Sequence, residues 1–321
     1  MRWFLLLAAL PLAAQPTLYV CAGAAKEYVV GAKLPPSGLF RKTVSSGWEH
    51  LGYNLPFLFA LDYDSADPAT IYLAAGNGLI RAADHGREWT ILTGSDVTEL
   101  RDVAVDRSTP NTIYFGYSHG IRVTHDGGAT WQEIGASLHR KFTEAIRVDR
   151  AKPGVLLAGG EEGVFRSEDG GKAWRLAGAA GWQILHIEQS PHDACFWIAT
   201  TQGGGWFASH DCGKTFESGG HEGVGRSLYD VAFDPSTPGR IALAGWGPGV
   251  LVSEDAGKTW QPRNTGLPRT DVLSLAFDPA QPGRLYASVH EEAIYVSEDA
   301  GKTWSSSGIE GSAAARMRFI P

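Results

Sequence analysis

The sequence predicts an all-β fold, a seven-bladed β-propeller of four-stranded antiparallel blades. An eight-residue phrase ending in an aromatic residue recurs six times, and its aspartates are 42 to 44 residues apart. Before each copy the same order of short apolar segments and Gly- or Pro-containing turns recurs. Four short strands in about 43 residues are typical of one propeller blade.

The repeated phrase, here called the box, predicts a tight turn between the third and fourth strands of a blade. Aspartate accepts hydrogen bonds from the amides that follow it, and glycine adopts positive φ without strain. We expect a structural role, because six copies distributed around a ring cannot converge on one catalytic or calcium site. The box aspartates are Asp84, Asp126, Asp169, Asp211, Asp255 and Asp299.

The other strands are predicted from segments such as 272–304, which contains an alternating apolar run, a Pro-Gly turn, a second apolar run and an acidic hairpin. No helical period of ten residues separates the strands, which argues against parallel α/β units. A seventh blade is predicted from both chain ends. Residues 17–23 and 37–51 supply three strands, and residues 313–321 supply the innermost strand. Pairing the two ends closes the ring.

The first residues predict export. Residues 1–14 combine Arg2, an apolar run and small residues at Ala13 and Ala14, which is typical of a secretory signal peptide. Residues 15–321 then form a single propeller domain, secreted or periplasmic, and we expect a monomer. No later apolar run reaches the roughly 20 residues of a membrane helix. A net charge of −7 without a basic cluster argues against nucleic acid as a partner.

Three cysteines are too few for a disulfide scaffold or a Cys-rich zinc site. Cys195 and Cys212 belong to one repeat and could form a bridge at its edge, while buried free thiols are the alternative. The histidines lack metal-ligand spacing, and no phosphate-cradling glycine motif occurs. We therefore expect no metal and no cofactor.

The boxes resemble the BNR/Asp-box repeats of bacterial sialidases, xyloglucan-degrading glycoside hydrolases, sortilin-type receptors and the photosystem II stability/assembly factor. The resemblance covers nearly the whole predicted domain and implies the propeller fold. Sialidases of this kind have an Arg-Ile-Pro motif and three arginines that converge on the substrate carboxylate, and the motif is absent here. The architecture is most similar to the photosystem assembly factor and its non-photosynthetic relatives.

A binding site is expected on the face opposite the boxes, because that face lacks the repeated structural turns. Trp182 and Trp246 have no counterpart in other repeats and could stack on a sugar or peptide, or pack over a blade edge. Trp206 replaces an aliphatic core residue and is expected to be buried. The further candidates are His221, Glu222, Arg226, Tyr117, His119, Glu161 and Glu162.

Two motifs suggest chemistry, but the hairpins that carry them favour a non-catalytic role. Residues 116–120 match the G-x-S-x-G nucleophile pattern, yet that chemistry requires a strand-to-helix elbow and this copy is a hairpin. The acidic pairs at 161–162 and 291–292 resemble glycosidase carboxylates, although hairpin tips are commonly acidic because they are solvated. No catalytic residue is assigned.

Alignment of the innermost strands predicts two ion pairs near the centre, Arg318 with Asp62 and Arg147 with Glu188. Charges buried that deeply need partners. The sequence as a whole predicts a non-catalytic exported scaffold for a protein or glycan. A glycan-cleaving enzyme of sialidase type is the alternative. Three arginines with a tyrosine and an acid on the face opposite the boxes would favour the enzyme.

Overall fold

The computed structural model describes residues 15–25, 34–35, 37–43, 47–109, 111–138, 142–220 and 223–321. The described residues are all-β apart from one 3-10 turn at Asp84–Gly86. They form five four-stranded antiparallel sheets and one eight-stranded sheet. The larger sheet consists of two four-stranded groups that are joined where Gln202 pairs with Ser227.

The strands follow the chain in groups of four, and the first group contains both ends of the described chain. Its strands are β28 (Ser312–Ile320), β1 (Thr17–Ala24), β2 (Gly38–Thr43) and β3 (Gly47–Leu51). The second group is β4 (Leu58–Tyr63), β5 (Ile71–Ala75), β6 (Gly78–Ala83) and β7 (Glu88–Ile91). The third is β8 (Asp102–Val105), β9 (Ile113–Tyr117), β10 (Gly120–Thr124) and β11 (Gln132–Glu133).

The remaining four groups repeat this order. The fourth is β12 (Thr143–Val148), β13 (Leu156–Gly160), β14 (Gly163–Ser167) and β15 (Arg175–Gly178). The fifth is β16 (Ile184–Gln189), β17 (Trp197–Gly204), β18 (Trp206–Ser209) and β19 (Glu217–Ser218). The sixth is β20 (Val224–Phe233), β21 (Ile241–Gly245), β22 (Gly249–Ser253) and β23 (Gln261–Pro262). The seventh is β24 (Val272–Phe277), β25 (Leu285–Val289), β26 (Ala293–Ser297) and β27 (Ser305–Gly308).

The first strand of each group, here called a hub strand, contacts the hub strands of the groups before and after it. The hub strands are β4, β8, β12, β16, β20, β24 and β28, and β28 contacts both β24 and β4. The apolar core lies between groups rather than within them. Each cluster of buried side chains in the described chain draws on two neighbouring groups, and one cluster joins Tyr286 of the seventh group to Met317 of the first.

Buried carboxylates join neighbouring hub strands. Asp102 Oδ2 accepts a hydrogen bond from the Ile146 amide at 3.0 Å, and Asp230 Oδ2 accepts one from the Leu275 amide at 2.9 Å. Asp62 Oδ2 likewise accepts one from the amide of Val105. A hub strand has no strand partner on its inner edge, so its buried amides require another acceptor. These three carboxylates supply one.

The box turns share a side with the turns between first and second strands. In each of the six repeats that carry a box, the residue after the box aspartate donates its amide to a carbonyl of that first turn, as Ala256 does to Gly239 at 2.8 Å. We call this side the box face and the other the partner face. Cys195 and Cys212 meet in one such pair of turns, and their sulfurs are bonded. Cys21 is buried as a free thiol.

Five of the six box aspartates accept hydrogen bonds from the turn. Asp255 accepts from the Thr259 amide at 2.9 Å, the Thr259 hydroxyl at 2.7 Å and the Ser253 hydroxyl at 2.8 Å. Equivalent bonds surround Asp126, Asp169, Asp211 and Asp299. Asp84 differs, because Ala82 replaces the hydroxyl residue and Glu88 stands where threonine is expected. Within the described residues its carboxylate pairs only with exposed Arg87, at 3.3 Å.

We expect removal of residues 313–321 to lower the melting temperature by at least about 10 °C, because β1 would lose its partner and three buried side chains would leave the core. Circular dichroism of the truncated chain measures this. A full-length chain with the same nine residues in scrambled order separates loss of the strand from loss of length. An unchanged melting temperature would contradict the pairing.

We expect Asp255→Asn to lower the melting temperature at pH 7, with a difference that shrinks as the pH falls from about 4 towards 2. The Thr259 hydroxyl, the Thr259 amide and the Ser253 hydroxyl hold the pKa of Asp255 at about 2. Stability from a carboxyl with a depressed folded pKa is present above its unfolded pKa, about 3.9, and is lost as the pH falls through the folded pKa.

The matched control for this measurement is Asp84→Asn, which removes only the exposed pair with Arg87. Such a pair contributes little to stability. Thermal melts across this pH range should therefore separate the two variants. Equal effects of both substitutions would argue against a structural role for the Asp255 network.

Candidate functional site

A central cavity of about 220 Å³ is lined by residues from all seven hub strands. Both sequence-predicted ion pairs are confirmed at this cavity. Arg318 Nη1 lies 3.4 Å from Asp62 Oδ1, and Arg147 Nε lies 3.6 Å from Glu188 Oε2. Arg147 also forms an ion pair with buried Asp102.

His186 lies at the middle of this buried network. Its Nε2 is 2.8 Å from Arg147 Nη2, and its Nδ1 contacts Asp230. Arg316 Nη1 forms an ion pair with Asp230 at 2.6 Å. Arg316 Nη1 contacts the same Nδ1, so two arginines and the Asp230 carboxylate meet at this imidazole. The charges of opposite hub strands are thus connected by hydrogen bonds.

A β-bulge recurs in six of the seven hub strands, where it inserts one residue into the strand. The register shifts between Leu58 and Ala60, and equivalent shifts occur in the fourth to seventh groups and in β28. The residues inserted by these bulges are Phe59, Glu144, Leu185, Tyr229, Leu273 and Ala315, all half-buried, and Arg101 precedes β8 at the corresponding place. These residues are not among the candidates predicted from the sequence, although the predicted ion pairs involve residues of some of the same strands. The signal that identifies them is in the spacing, because the paired part of each bulged hub strand has one residue more than the part of the strand with which it pairs.

Three bulge positions meet on the partner face. The Arg101 guanidinium carbon lies 4.6 Å from the centroid of the Phe59 ring and 5.4 Å from that of Phe142. Arg101 Nε is 3.9 Å from Glu144 Oε2, and Gln183 donates to Glu144 at 3.3 Å. Burial raises the pKa of the Glu144 carboxyl, although Arg101 opposes this shift. The partner face thus contains a partly desolvated acid beside a cation held between two rings.

Trp182 lies close to Arg101 and Glu144, because the next residue, Gln183, donates a hydrogen bond to Glu144. The Gly181 amide donates to Glu162 O at 3.2 Å, so the link that carries Trp182 lies against the acidic hairpin of the fourth group. A Cβ on Gly204 would be 2.5 Å from Trp182 Cδ2, so the indole packs directly on glycine backbone. The side chain is nevertheless 41% exposed. Packing and an open ring surface therefore coexist at Trp182.

Trp246 belongs to a second aromatic group. Its ring centroid lies 5.0 Å from that of His290 and 6.5 Å from that of Tyr229, and it is 42% exposed. Arg226 is exposed. It lies beside these rings, because a Cβ on Gly247, the neighbour of Trp246, would be 3.5 Å from Arg226 Nη1. Trp246 is thus surrounded by rings and a cation.

The other candidates are dispersed. Tyr117 is only 3% exposed and packs edge-on against Phe115, so its ring does not belong to the open surface. His119 is exposed at the hairpin tip, where its Nδ1 lies 2.8 Å from Ser118 Oγ. Glu161 is exposed and Glu162 is half-buried in the next hairpin. His221 and Glu222 lie outside the described residues. Trp206 is buried, as predicted, against Trp260.

A groove of about 590 Å³ opens on the partner face between the first two groups and the third. Phe57 and Phe59 form an apolar wall, and Glu99 and Arg101 provide charges of both signs. Phe57 is 61% exposed. The groove offers apolar surface and polar groups in a shape that a partner side chain or sugar ring can enter.

Arginines converge at the opposite end of the molecule. Arg107 and Arg318 both stack on Tyr63, and Arg150 Nη1 lies 4.0 Å from Glu188. These residues meet at the box-face end of the central cavity, because Arg107 and Arg150 belong to turns between first and second strands. A sialidase-type site would require three arginines on the partner face. Among the bulge residues of that face and Arg101 at the corresponding place of the third group, Arg101 is the one arginine.

Within the described ranges, no group of three His, Cys, Asp or Glu side chains is arranged to hold a metal ion. No helix in that same part of the chain is long and apolar enough to cross a membrane. The residues described thus carry ion pairs and exposed rings rather than a metal centre.

Comparison with known proteins identifies the fold. No protein-family model matches the chain, and no curated protein matches its sequence. Among solved structures, a GH74 xyloglucanase from Xanthomonas campestris superposes with a TM-score of 0.65 at 19% identity, over 78% of this chain and 45% of that one. YCF48 bound to a D1 peptide gives 0.60 at 20% identity, over 79% and 86%.

A third structure, the extracellular domain of a hybrid two-component system from B. thetaiotaomicron, gives a TM-score of 0.68 at 12% identity, over 89% of this chain and 38% of that one. The chain spans less than half the length of the xyloglucanase and of this sensor domain. At these identities the likeness establishes a β-propeller fold.

Proposed function

We propose that this chain is an exported seven-bladed β-propeller, closed by β28, that binds a protein or glycan on its partner face and performs no chemistry. The cyclic contacts of the hub strands and the cavity lined by all of them support seven blades in a closed ring. The signal-like pattern of residues 1–14 supports export. We propose that the protein acts as a monomeric scaffold.

The observation that carries this proposal is the distribution of exposed apolar side chains. Among the residues described, five of the seven large exposed ones belong to hairpins or links of the partner face. They are Leu34, Tyr53, Phe57, Trp182 and Trp246. The other two, Ile91 and Leu176, lie on outer strands. Exposed aromatic residues grouped on one face are typical of an interaction surface.

Bulges and links produce this asymmetry. The box face is occupied by repeated hydrogen-bonded turns, whereas the partner face carries links of variable sequence and, in six of the seven groups, a bulge residue. Rings flanked by Arg101, Glu144 or Arg226 combine stacking surface with polar contacts, which suits a peptide or a sugar. The likeness to YCF48, solved with a D1 peptide, supports a peptide-binding use of the fold by analogy alone.

We expect Trp182→Ala, Trp246→Ala and Phe57→Ala each to weaken binding of a selected ligand by about tenfold or more, because truncating an aromatic anchor removes most of its contact energy. Ligands would be selected on peptide and glycan arrays with the chain from residue 15 onward, and dissociation constants measured by calorimetry.

Ile91→Ala and Leu176→Ala are matched controls, since both side chains are exposed and apolar but lie on outer strands. Both controls should bind like the unchanged protein. Ligands whose affinity depends on the outer-strand residues and not on the three aromatic residues would refute the proposed face.

One observation favours the alternative, a glycoside hydrolase. Burial raises the pKa of the Glu144 carboxyl, although Arg101 and Gln183 oppose the shift, and the charges of Asp102 and Glu161 raise it further. Glycosidases of most families use two carboxyl groups of different pKa. Arg101 and Gln183 hold the Glu144 side chain at the edge of the partner face.

If the protein is a hydrolase, we expect turnover of chromogenic glycosides, xyloglucan fragments or sialosides that falls at least about a hundredfold in Glu144→Gln. Its rate should also decline above the raised pKa of Glu144. Glu217→Gln, on exposed outer strand β19, is the control. The absence of turnover on every substrate would leave the binding proposal standing, and turnover indifferent to Glu144 would exclude this residue as the acid.

A further inference from the structure

At its box-face end the central cavity of about 220 Å³ meets a second hollow of about 160 Å³. Both hollows are lined by Arg147, Arg150, Glu188, Gln189 and Arg318. This end lies on the side of the molecule away from the partner face. Nothing in the proposed scaffold function uses it.

Arg318 has hydrogen-bond donors to spare. Its Nη1 is 3.4 Å from Asp62 Oδ1, and its guanidinium carbon is 5.9 Å from the Tyr63 ring centroid. Within the described part of the chain, these are its only polar or ring contacts, and none is a hydrogen bond. A guanidinium carries five N–H donors in a planar fork. Those of Arg318 face the hollows, where the side chain is 27% exposed.

Two further arginines add donors. Arg150 uses Nη2 for the carbonyls of Gln189 and Ser190, while its Nη1 lies 4.0 Å from Glu188. Arg107 donates to Asp62 at 2.9 Å, and its Nε is buried without a hydrogen-bond partner. Burial, together with the charges of Arg318 and Arg107, lowers the pKa of Arg150 although Glu188 opposes the shift. Positive charge is therefore crowded at this end.

The carboxylates beneath these arginines are less accessible. Asp62, Asp106 and Asp149 are at most 6% exposed, whereas the side chains of Arg107, Arg150 and Arg318 are 27–40% exposed. Hydrogen bonds from neighbouring amides and side chains already occupy Asp62 and one oxygen each of Asp106 and Asp149. Glu188 also lines both hollows and its side chain is 24% exposed, but its carboxylate lies 3.6 Å from Arg147 Nε and 4.0 Å from Arg150 Nη1. A ligand in the hollows therefore meets one carboxylate that is already paired, together with the unused donors of Arg318 and Arg150.

The remaining wall is apolar. It is formed by rings from the turns and hub strands of the fifth, sixth, seventh and first groups, namely Pro191, Phe233, Pro235, Phe277 and Phe319. Guanidinium groups beside such a wall match an anion with an apolar body better than a strongly hydrated inorganic ion, because only the apolar body removes the rings of the wall from water while the anionic group pairs with Arg.

We propose that the space where these two hollows meet, here called the arginine hollow, binds a small organic carboxylate. The carboxylate accepts hydrogen bonds from Arg318 and Arg150, and its apolar body packs against the proline and phenylalanine rings. This site is independent of the partner face and is distinct from it in position and chemistry.

The test uses ¹⁹F NMR titration of the purified chain with 4-fluorobenzoate at pH 7. The isosteric neutral 4-fluorobenzamide and inorganic phosphate serve as comparison probes. We expect saturable binding of the benzoate, with no saturable binding of the amide. Arg318→Gln and Arg150→Gln should each weaken benzoate binding at least about tenfold, the range for a lost charged hydrogen bond.

Arg284→Gln is the control, because Arg284 is also on the box face but pairs with Glu298 at 2.9 Å and does not line the hollows. Its benzoate affinity should be unchanged. Melting curves show whether each variant folds, and the more exposed Arg150 provides a variant if Arg318→Gln is unstable. Equal binding of benzoate and benzamide, competition by phosphate at equal concentration, or benzoate binding that survives both arginine substitutions would overturn the proposal.

Discussion

The capping of hub-strand edges by buried carboxylates is the constraint on which the rest of the structure depends. A strand at the centre of the molecule has amides on its inner edge that no neighbouring strand can reach and that water cannot freely solvate. Asp62, Asp102 and Asp230 accept those hydrogen bonds from the next group along the chain. Because each carboxylate holds two groups together, the angle between neighbouring sheets is fixed where their edges meet.

These carboxylates require cations, and the cations determine the chemistry of the centre. Arg147 and Arg316 pair with Asp102 and Asp230, and His186 bridges them. A buried ion pair that loses one partner leaves an uncompensated charge, which costs about 3–5 kcal/mol. The central network is therefore expected to tolerate few substitutions. Arg150 and Arg318 are only partly used by this network, which is why they remain available at the box-face end.

Part of the candidate site follows from the sequence. The burial of Trp206 and the central pairs of Arg318 and Arg147 derive from repeat alignment, because a repeated unit places equivalent residues at equivalent depths. Trp182 and Trp246 have no counterpart in other repeats, so alignment left their exposure open. The pairing of Arg101 with Glu144 does not follow from the sequence. A bulge adds one residue without changing the apolar pattern, so its side chain is assigned by alignment to the wrong face. The burial of Tyr117 likewise depends on its ring packing against Phe115.

The sequence by itself determined the strand order, the period and the box turns, since these depend on local hydrogen bonding and on side-chain alternation within about 43 residues. It also determined the pairing of both chain ends in one sheet, because each end supplies the strands of the repeat that the other lacks. Only the tertiary structure decided that His186, Arg316 and Asp230 join the predicted pairs at the centre, and which rings remain open. Those properties depend on contacts between residues more than 100 positions apart, such as Arg316 with His186. Sequence spacing carries no information about distances between groups of strands that are not neighbours.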